Sequence, residues 1–236
     1  MIYTDTGFTP GYSLKGWEWS NQKAKRTEVW NYGVRRSMYN LPIPLSGHCV
    51  VTINRRFVVF LGGATTEFKE DGTIIVNTGP EPTNHIHIYN LDTESWDTTF
   101  LDSSNTLRKM TVPRMNHACL TYMENGRRKI MVAGGVIKTA SGQNKVTNTV
   151  EVLDWNTKLW KYDRATPRGM TGLKLISVKN RPTIIGRYDN EYQNVVLRHT
   201  LATQTWDPLS VTLPTGKSDF AVLQLPNSPN IGQYIY

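Results

Sequence analysis

Three stretches of the chain are almost continuously apolar: Phe57-Val-Val-Phe-Leu-Gly-Gly63, Ile130-Met-Val-Ala-Gly-Gly135 and Thr183-Ile-Ile-Gly186. Each is preceded by a second strand-like run, Gly47 to Ile53, Asn116 to Tyr122 and Thr171 to Val178. Between the two runs lies a short polar turn: Asn54-Arg55-Arg56, Asn125-Gly126-Arg127-Arg128 or Lys179-Asn180-Arg181. Runs this short, with no wet alternate position, predict strands buried on both faces. The turns predict hairpins joining them. A fourth run of the first kind, Asp219 to Leu225, stands near the end of the chain.

Further along each unit the polarity rises. The runs His85 to Tyr89, Thr149 to Leu153 and Asn194 to His199 are followed, seven residues after their last member, by Trp96, Trp160 and Trp206. Each Trp closes a Thr-x-x-Trp segment, and a further copy stands at Thr27 to Trp30. The repeated unit is therefore four short antiparallel strands, a to d, dry at a and b and wetter at c and d. That gradient fits a propeller blade running from a central axis to a rim.

The paired glycines Gly62-Gly63 and Gly134-Gly135, the Tyr89 and Trp96 seven apart, and Arg114 and Arg168 ahead of strand a resemble kelch repeats. The third unit departs from that pattern, with Gly186-Arg187 at the glycine pair and His199 for Tyr. The resemblance implies an all-β fold, a kelch-type β-propeller of four-stranded antiparallel blades. On this register residues 1–45 hold a leader and outer half-blade, including Trp17-Glu-Trp19 as a candidate strand. Repeats follow at 46–100, 114–164 and 168–208, and 217–236 is an inner half-blade. That makes about four blade equivalents, fewer than the six or seven of kelch rings, so a partial propeller is expected. An open arc would self-associate, whereas terminal halves completing one blade would leave a monomer.

Composition agrees with the pattern: Thr, Val and Ile number 60 against eight Ala, a balance that suits sheet and disfavours helix. No apolar run is long enough to cross a bilayer, and Met1 to Pro10 lacks the features of a secretory signal. The two cysteines, Cys49 and Cys119, are too few for a disulfide framework and read as small buried residues. None of the eighteen Asn begins an N-x-Ser/Thr acceptor. The expectation is a cytoplasmic protein with no membrane partner.

Candidate chemistry is sparse. His85 and His87 share one strand face but bring no third ligand, so no metal is expected. His48 and His117 recur at one position of strand a, which suggests a packing role, and no catalytic residue or cofactor is assigned. The net charge of +8 finds a location in the a to b turns. Arg55, Arg56, Arg127, Arg128, Lys129, Lys179 and Arg181 all fall there, on a single face. That face would be either solvated or a dock for an acidic partner, with nucleic acid disfavoured by the lack of neighbouring aromatics.

The opposite face gathers the b to c and d to a loops, the b to c loops being long at Ala64 to Asn84 and Val136 to Thr147 and short at Arg187 to Gln193. Kelch relatives hold a peptide or protein segment on this face. Arg114, Arg168 and Lys217, with Tyr188 and Tyr192, are the expected contacts, unless the arginines instead bond the neighbouring blade's backbone. The expected function is a non-enzymatic protein-interaction module, such as a scaffold or a fragment of a ubiquitin-ligase substrate receptor. A propeller enzyme of oxidase or isomerase type, and electrostatic binding through the basic turns, are the alternatives.

Overall fold

A computed structural model describes residues 2–4, 27–31, 34–37, 41–43, 45–65, 81–97, 109–189, 191, 194–211, 222–224 and 234–235. The candidate strand at Trp17 to Trp19 lies outside them. The strands are β1 Ile2–Thr4, β2 Thr27–Asn31, β3 Val34–Ser37, β4 Cys49–Ile53, β5 Phe57–Leu61, β6 Ala64–Thr65, β7 Glu81–Pro82, β8 Ile86–Asn90, β9 Ser95–Trp96, β10 Ala118–Glu124 and β11 Arg127–Ala133. Then follow β12 Val136–Lys138, β13 Asn144–Val146, β14 Val150–Asp154, β15 Leu159–Asp163, β16 Met170–Val178, β17 Arg181–Tyr188, β18 Asn194–Thr200, β19 Thr205–Pro208, β20 Leu223–Gln224 and β21 Tyr234–Ile235. The fold is all-β, and the described residues contain no helix.

Three four-stranded antiparallel sheets dominate: sheet I (β4-β5-β8-β9), sheet II (β10-β11-β14-β15) and sheet III (β16-β17-β18-β19). Their first strands are neighbours, β4 beside β10 and β10 beside β16, so the sheets stack face to face. The strands β1-β2-β3 make a three-stranded sheet with Trp30 in its middle strand, and β20 pairs with β21. Nothing among the described residues closes the three large sheets into a ring.

Stacking follows from the doubly buried second strands. In β5, Val59 and Leu61 enter the core between sheets I and II, while Val58 and Phe60 face the other way. In β11, Ile130 and Val132 share that same core, and Met131 and Ala133 turn toward sheet III. Side chains alternate across a strand, so a sheet of this composition has no face to give to water. Each fully buried aliphatic contributes about 1.5–3 kcal/mol, a gain a single sheet would forfeit.

The hairpins explain the two sequence signatures. Both central residues of each first turn are left-handed: Asn54 and Arg55, Asn125 and Gly126, Lys179 and Asn180. This matches the twist of antiparallel strands. In the third-to-fourth hairpin the residue after Thr is left-handed in every sheet, at Glu94, Lys158 and Gln204. Its closure places Tyr89 opposite Trp96, Leu153 opposite Trp160 and His199 opposite Trp206. The seven-residue spacing is thus a cross-strand pair, and Tyr89 meets Trp96 edge-on at 5.2 Å.

Cys49 and Cys119 are joined as a disulfide, with Cα atoms 5.9 Å apart, which corrects the expectation of two unlinked thiols. The register explains how they meet. Cys49 pairs with Leu61 and Ala118 with Ala133, so Cys49 corresponds to Ala118 and Cys119 lies one position further on. Equivalent positions point the same way around the stack; an offset of one turns Cys119 back toward sheet I. The bond staples the first strands of two sheets across 70 residues of sequence.

Reduction should therefore lower the urea midpoint by an amount equivalent to about 2–4 kcal/mol, and a Cys49→Ser/Cys119→Ser variant should no longer respond to reductant. A wild-type midpoint unmoved by reductant would show that the sulfurs are not joined.

Candidate functional site

The ends of the second strands create one face of the stack, the loop face. In sheets I and II the chain leaves the strand through a glycine pair with φ of +57° and +99° at Gly62 and Gly63, and +64° and +89° at Gly134 and Gly135. A Cβ on Gly63 would lie 2.8 Å from the Ser46 carbonyl oxygen, and one on Gly135 2.5 Å from that of Met115. Only glycine fits such contacts. The chain then folds into short ribbons, β6–β7 and β12–β13, joined by Lys138 Nζ to Glu81 Oε1 at 3.1 Å. In sheet III, Arg187 replaces the second glycine, and β17 runs on extended, with Tyr188 opposite Met170. Among the described residues two ribbons thus follow the second strands of sheets I and II, and none follows that of sheet III.

Arg114 does not reach this surface. Its side chain has no exposure, and its guanidinium donates to the Gly134 and Thr149 carbonyls at 3.0 and 3.1 Å, to Thr149 Oγ1 at 3.0 Å and to Glu151 Oε1 at 2.5 Å. Glu151, also fully buried, accepts the backbone N–H of Thr111 and Val112. The partner-gripping role expected for Arg114 is corrected on this geometry: its charge is consumed inside its own sheet. Its backbone, by contrast, bridges to sheet I, accepting from Gly63 and donating to Thr83.

Nor is Arg168 its counterpart. Gly135 donates to Met170 as Gly63 does to Arg114, and Met170 donates to Thr147 as Arg114 does to Thr83. The structural equivalent is Met170. The partner position shifts in step, for Glu151 corresponds to Leu197 through the pairings of β11 with β14 and β17 with β18. Sheet III therefore holds two apolar core residues, Met170 and Leu197, where sheet II holds a buried ion pair. The β16–β17 hairpin closes four residues after Lys174 and the β10–β11 hairpin six after Ala118, so counting back from the turns hides this register.

Arg168 is exposed at the loop face, its side chain at 58%. The guanidinium lies over the Tyr188 ring, 4.3 Å from its centroid, and Nη2 contacts Glu191 Oε1 at 2.5 Å. Burial pushes the Tyr188 phenol above its usual range, with Glu191 adding to this and Arg168 opposing. Gly169 packs against Val146, the last residue of the β12–β13 ribbon. The structure thus brings together Arg168, Tyr188 and Glu191, the last missed because it lies in a polar connection without a repeated counterpart. Lys217 and Tyr192 lie outside the described residues.

The opposite face, the turn face, carries the seven basic residues. They are not equivalent. Lys129 is buried and donates to Asp154 Oδ2 at 2.7 Å; this bond foremost, helped by the N–H groups of Thr157 and Asn156, holds the Asp154 carboxyl down to about 2. Arg127 Nη1 lies 3.7 Å from the same oxygen, and Arg56 Nε contacts Asp92 at 2.8 Å. Arg55, Lys179 and Arg181 are exposed and Arg128 half-buried.

The histidines belong to the interior. His117 packs against Gly62 of sheet I, as Leu173 packs against Gly134 of sheet II. Burial, with lesser contributions from Arg114 and His48, lowers His117 to about 3; burial likewise takes His48 and His87 to about 4. All three are neutral at pH 7. Among the described residues no three His, Cys, Asp or Glu side chains converge as a metal-ligand set.

Two outcomes follow. Arg114→Met alone should destabilise by about 3–5 kcal/mol, because Glu151 is left charged and buried; adding Glu151→Leu should restore most of the loss, since Met170 and Leu197 already make that pair in sheet III. Equal urea midpoints for the single and double variants would contradict this. For the histidines, the unfolded chain protonates near 6.5 and the folded chain only near 3 to 4. Their contribution is therefore complete above about pH 6.5 and lost as pH falls, by up to about 1.4 kcal/mol per pH unit per group. His117→Leu should flatten the dependence of the urea midpoint between pH 7 and 5, and an unchanged slope would count against it.

No protein-family model matches the chain, and no curated protein matches it. Solved structures do: one described as the structure of YjhT is similar at a TM-score of 0.56 and 16% identity, over 82% of this chain. The chain spans 61% of that structure's length. At this identity the likeness concerns the fold alone.

Proposed function

We propose that sheets I, II and III are consecutive blades of a kelch-type β-propeller, and that the chain is a non-enzymatic module holding a protein or peptide segment on its loop face. Adjacent first strands, two-sided burial of the second strands and the repeated cross-strand Trp pairs support the propeller reading. The binding reading is carried by one observation. Arg168 is an exposed guanidinium fixed from beneath by Tyr188 and from the side by Glu191, next to Gly169, which packs on the end of the β12–β13 ribbon. Such a group is ordered before a ligand arrives, so less side-chain entropy is lost on contact. A carboxylate or backbone carbonyl of an incoming segment can exchange with Glu191.

A scaffold or receptor role would use this face. The inter-sheet disulfide favours an oxidising compartment over the cytoplasm expected from composition.

Selection from a displayed library of disordered peptide segments should enrich ligands for the wild-type protein. Arg168→Ala should weaken the enriched peptides about tenfold, while Lys179→Ala, on the turn face, should leave them unchanged. Absence of enrichment, or equal binding by Arg168→Ala, would overturn the reading.

A further inference from the structure

We infer that the turn face of sheets II and III is a second docking surface, for an acidic protein segment. The argument begins with how charge is distributed among the hairpin tips. In sheet I, Arg55 and Arg56 are matched by Asp92 and Glu94 of the same sheet's other hairpin. Sheet II sets Arg127, Arg128, Lys129 and Lys158 against Glu124 and Asp154. Sheet III sets Lys179 and Arg181 against no acid at all, its second hairpin reading Thr200-Leu-Ala-Thr-Gln-Thr-Trp206. The excess is therefore confined to two adjacent sheets.

Contacts narrow it further. Lys129 and Arg127 are engaged by Asp154, and Lys158 Nζ lies 3.3 Å from the centroid of the Trp155 ring. Among the described residues Arg128, Lys179 and Arg181 make no ion pair.

These three are held in one neighbourhood by backbone geometry. The Asn180 side chain accepts the Met123 N–H at 3.1 Å and donates to the Met123 carbonyl at 2.7 Å. It thereby clips the first turn of sheet III onto the first strand of sheet II. Met123 is also the register partner of Arg128, and Asn180 is flanked by Lys179 and Arg181. Three cations thus stand on backbone positions around one clamp, Lys179 and Arg181 exposed beside Asn180 and Arg128 half-buried on the strand face shared with Ile130. Fixed charges of one sign, with no internal counter-ion, attract an anionic segment and speed its association. A protein segment is favoured over nucleic acid because, among the described residues, the indoles near this face are withdrawn: Trp155 and Trp206 are buried, Trp160 is half-buried, and Lys158 caps Trp155, an arrangement poorly suited to stacking bases.

The test is fluorescence anisotropy of a labelled glutamate-rich peptide with the full chain at low and at physiological salt, and of labelled single-stranded oligothymidylate in parallel. The wild type should bind the peptide, with affinity falling as salt rises. Arg128→Ala/Lys179→Ala/Arg181→Ala should weaken it by about tenfold without moving the melting temperature. Arg55→Ala/Arg56→Ala in sheet I and Arg168→Ala on the loop face should leave it unchanged. Asn180→Ala, which keeps every charge and removes the clamp, should also weaken it. No peptide binding, equal binding by the triple variant, or tighter binding of the oligonucleotide would overturn the proposal.

Discussion

The structure depends on one constraint: its sheets have no face that can be left wet. Val58 and Phe60 on one side of β5, and Val59 and Leu61 on the other, all have no exposure. A sheet of this kind is stable only between neighbours, so the unit of stability is the seam and not the sheet. Every other feature is placed with respect to a seam. The Trp residues of the fourth strands sit on the side facing the preceding sheet, Trp160 against the core shared with sheet I and Trp206 in the core shared with sheet II. The disulfide crosses a seam, and it does so through the odd register offset that points two cysteines at one another.

The same constraint makes the two faces of the stack chemically different. Strand ends alternate between tight hairpins and longer crossings, because second and third strands must be joined after the chain clears the packed core. Where a glycine pair lets the backbone turn sharply, as at Gly62-Gly63, the chain passes into a separate two-stranded ribbon. Where Arg187 stands instead, the strand stays extended, since the left-handed conformation disfavours a side chain.

Much of this was legible in the sequence because it recurs. The four-strand unit, the turns and the seven-residue aromatic–Trp spacing are local, and local geometry repeats with the residues that cause it. Register across hairpins of unequal length is not local. Counting back from the turns aligns Arg168 with Arg114, whereas hydrogen bonding aligns Met170 with it, because β16 runs four residues from Lys174 to its turn where β10 runs six from Ala118. The disulfide was hidden for a related reason, since its partners belong to different units and their meeting depends on which way each strand faces. Charge pairing was hidden as well: seven basic residues looked alike in sequence, and only the hairpin opposite each one separates the engaged from the rest.

Sheet II keeps a buried ion pair where sheet III packs Met170 and Leu197, and the connections entering the two sheets give the reason. From Trp96 at the end of β9 to Ala118 at the start of β10 the chain makes a long crossing, whereas Asp163 and Met170 bracket a short one. The long crossing must be fixed at some point before it enters the core. Glu151 does this by accepting the N–H groups of Thr111 and Val112, and a buried carboxylate so placed requires a cation, which Arg114 supplies. Removing two charges from water costs several kcal/mol per ion, so the pair is a poor source of stability by itself. Its contribution is to position: it holds the incoming chain so that the Arg114 carbonyl meets Gly63 of the preceding sheet. In sheet III the short connection needs no such anchor, and an apolar pair fills the same place without the desolvation cost.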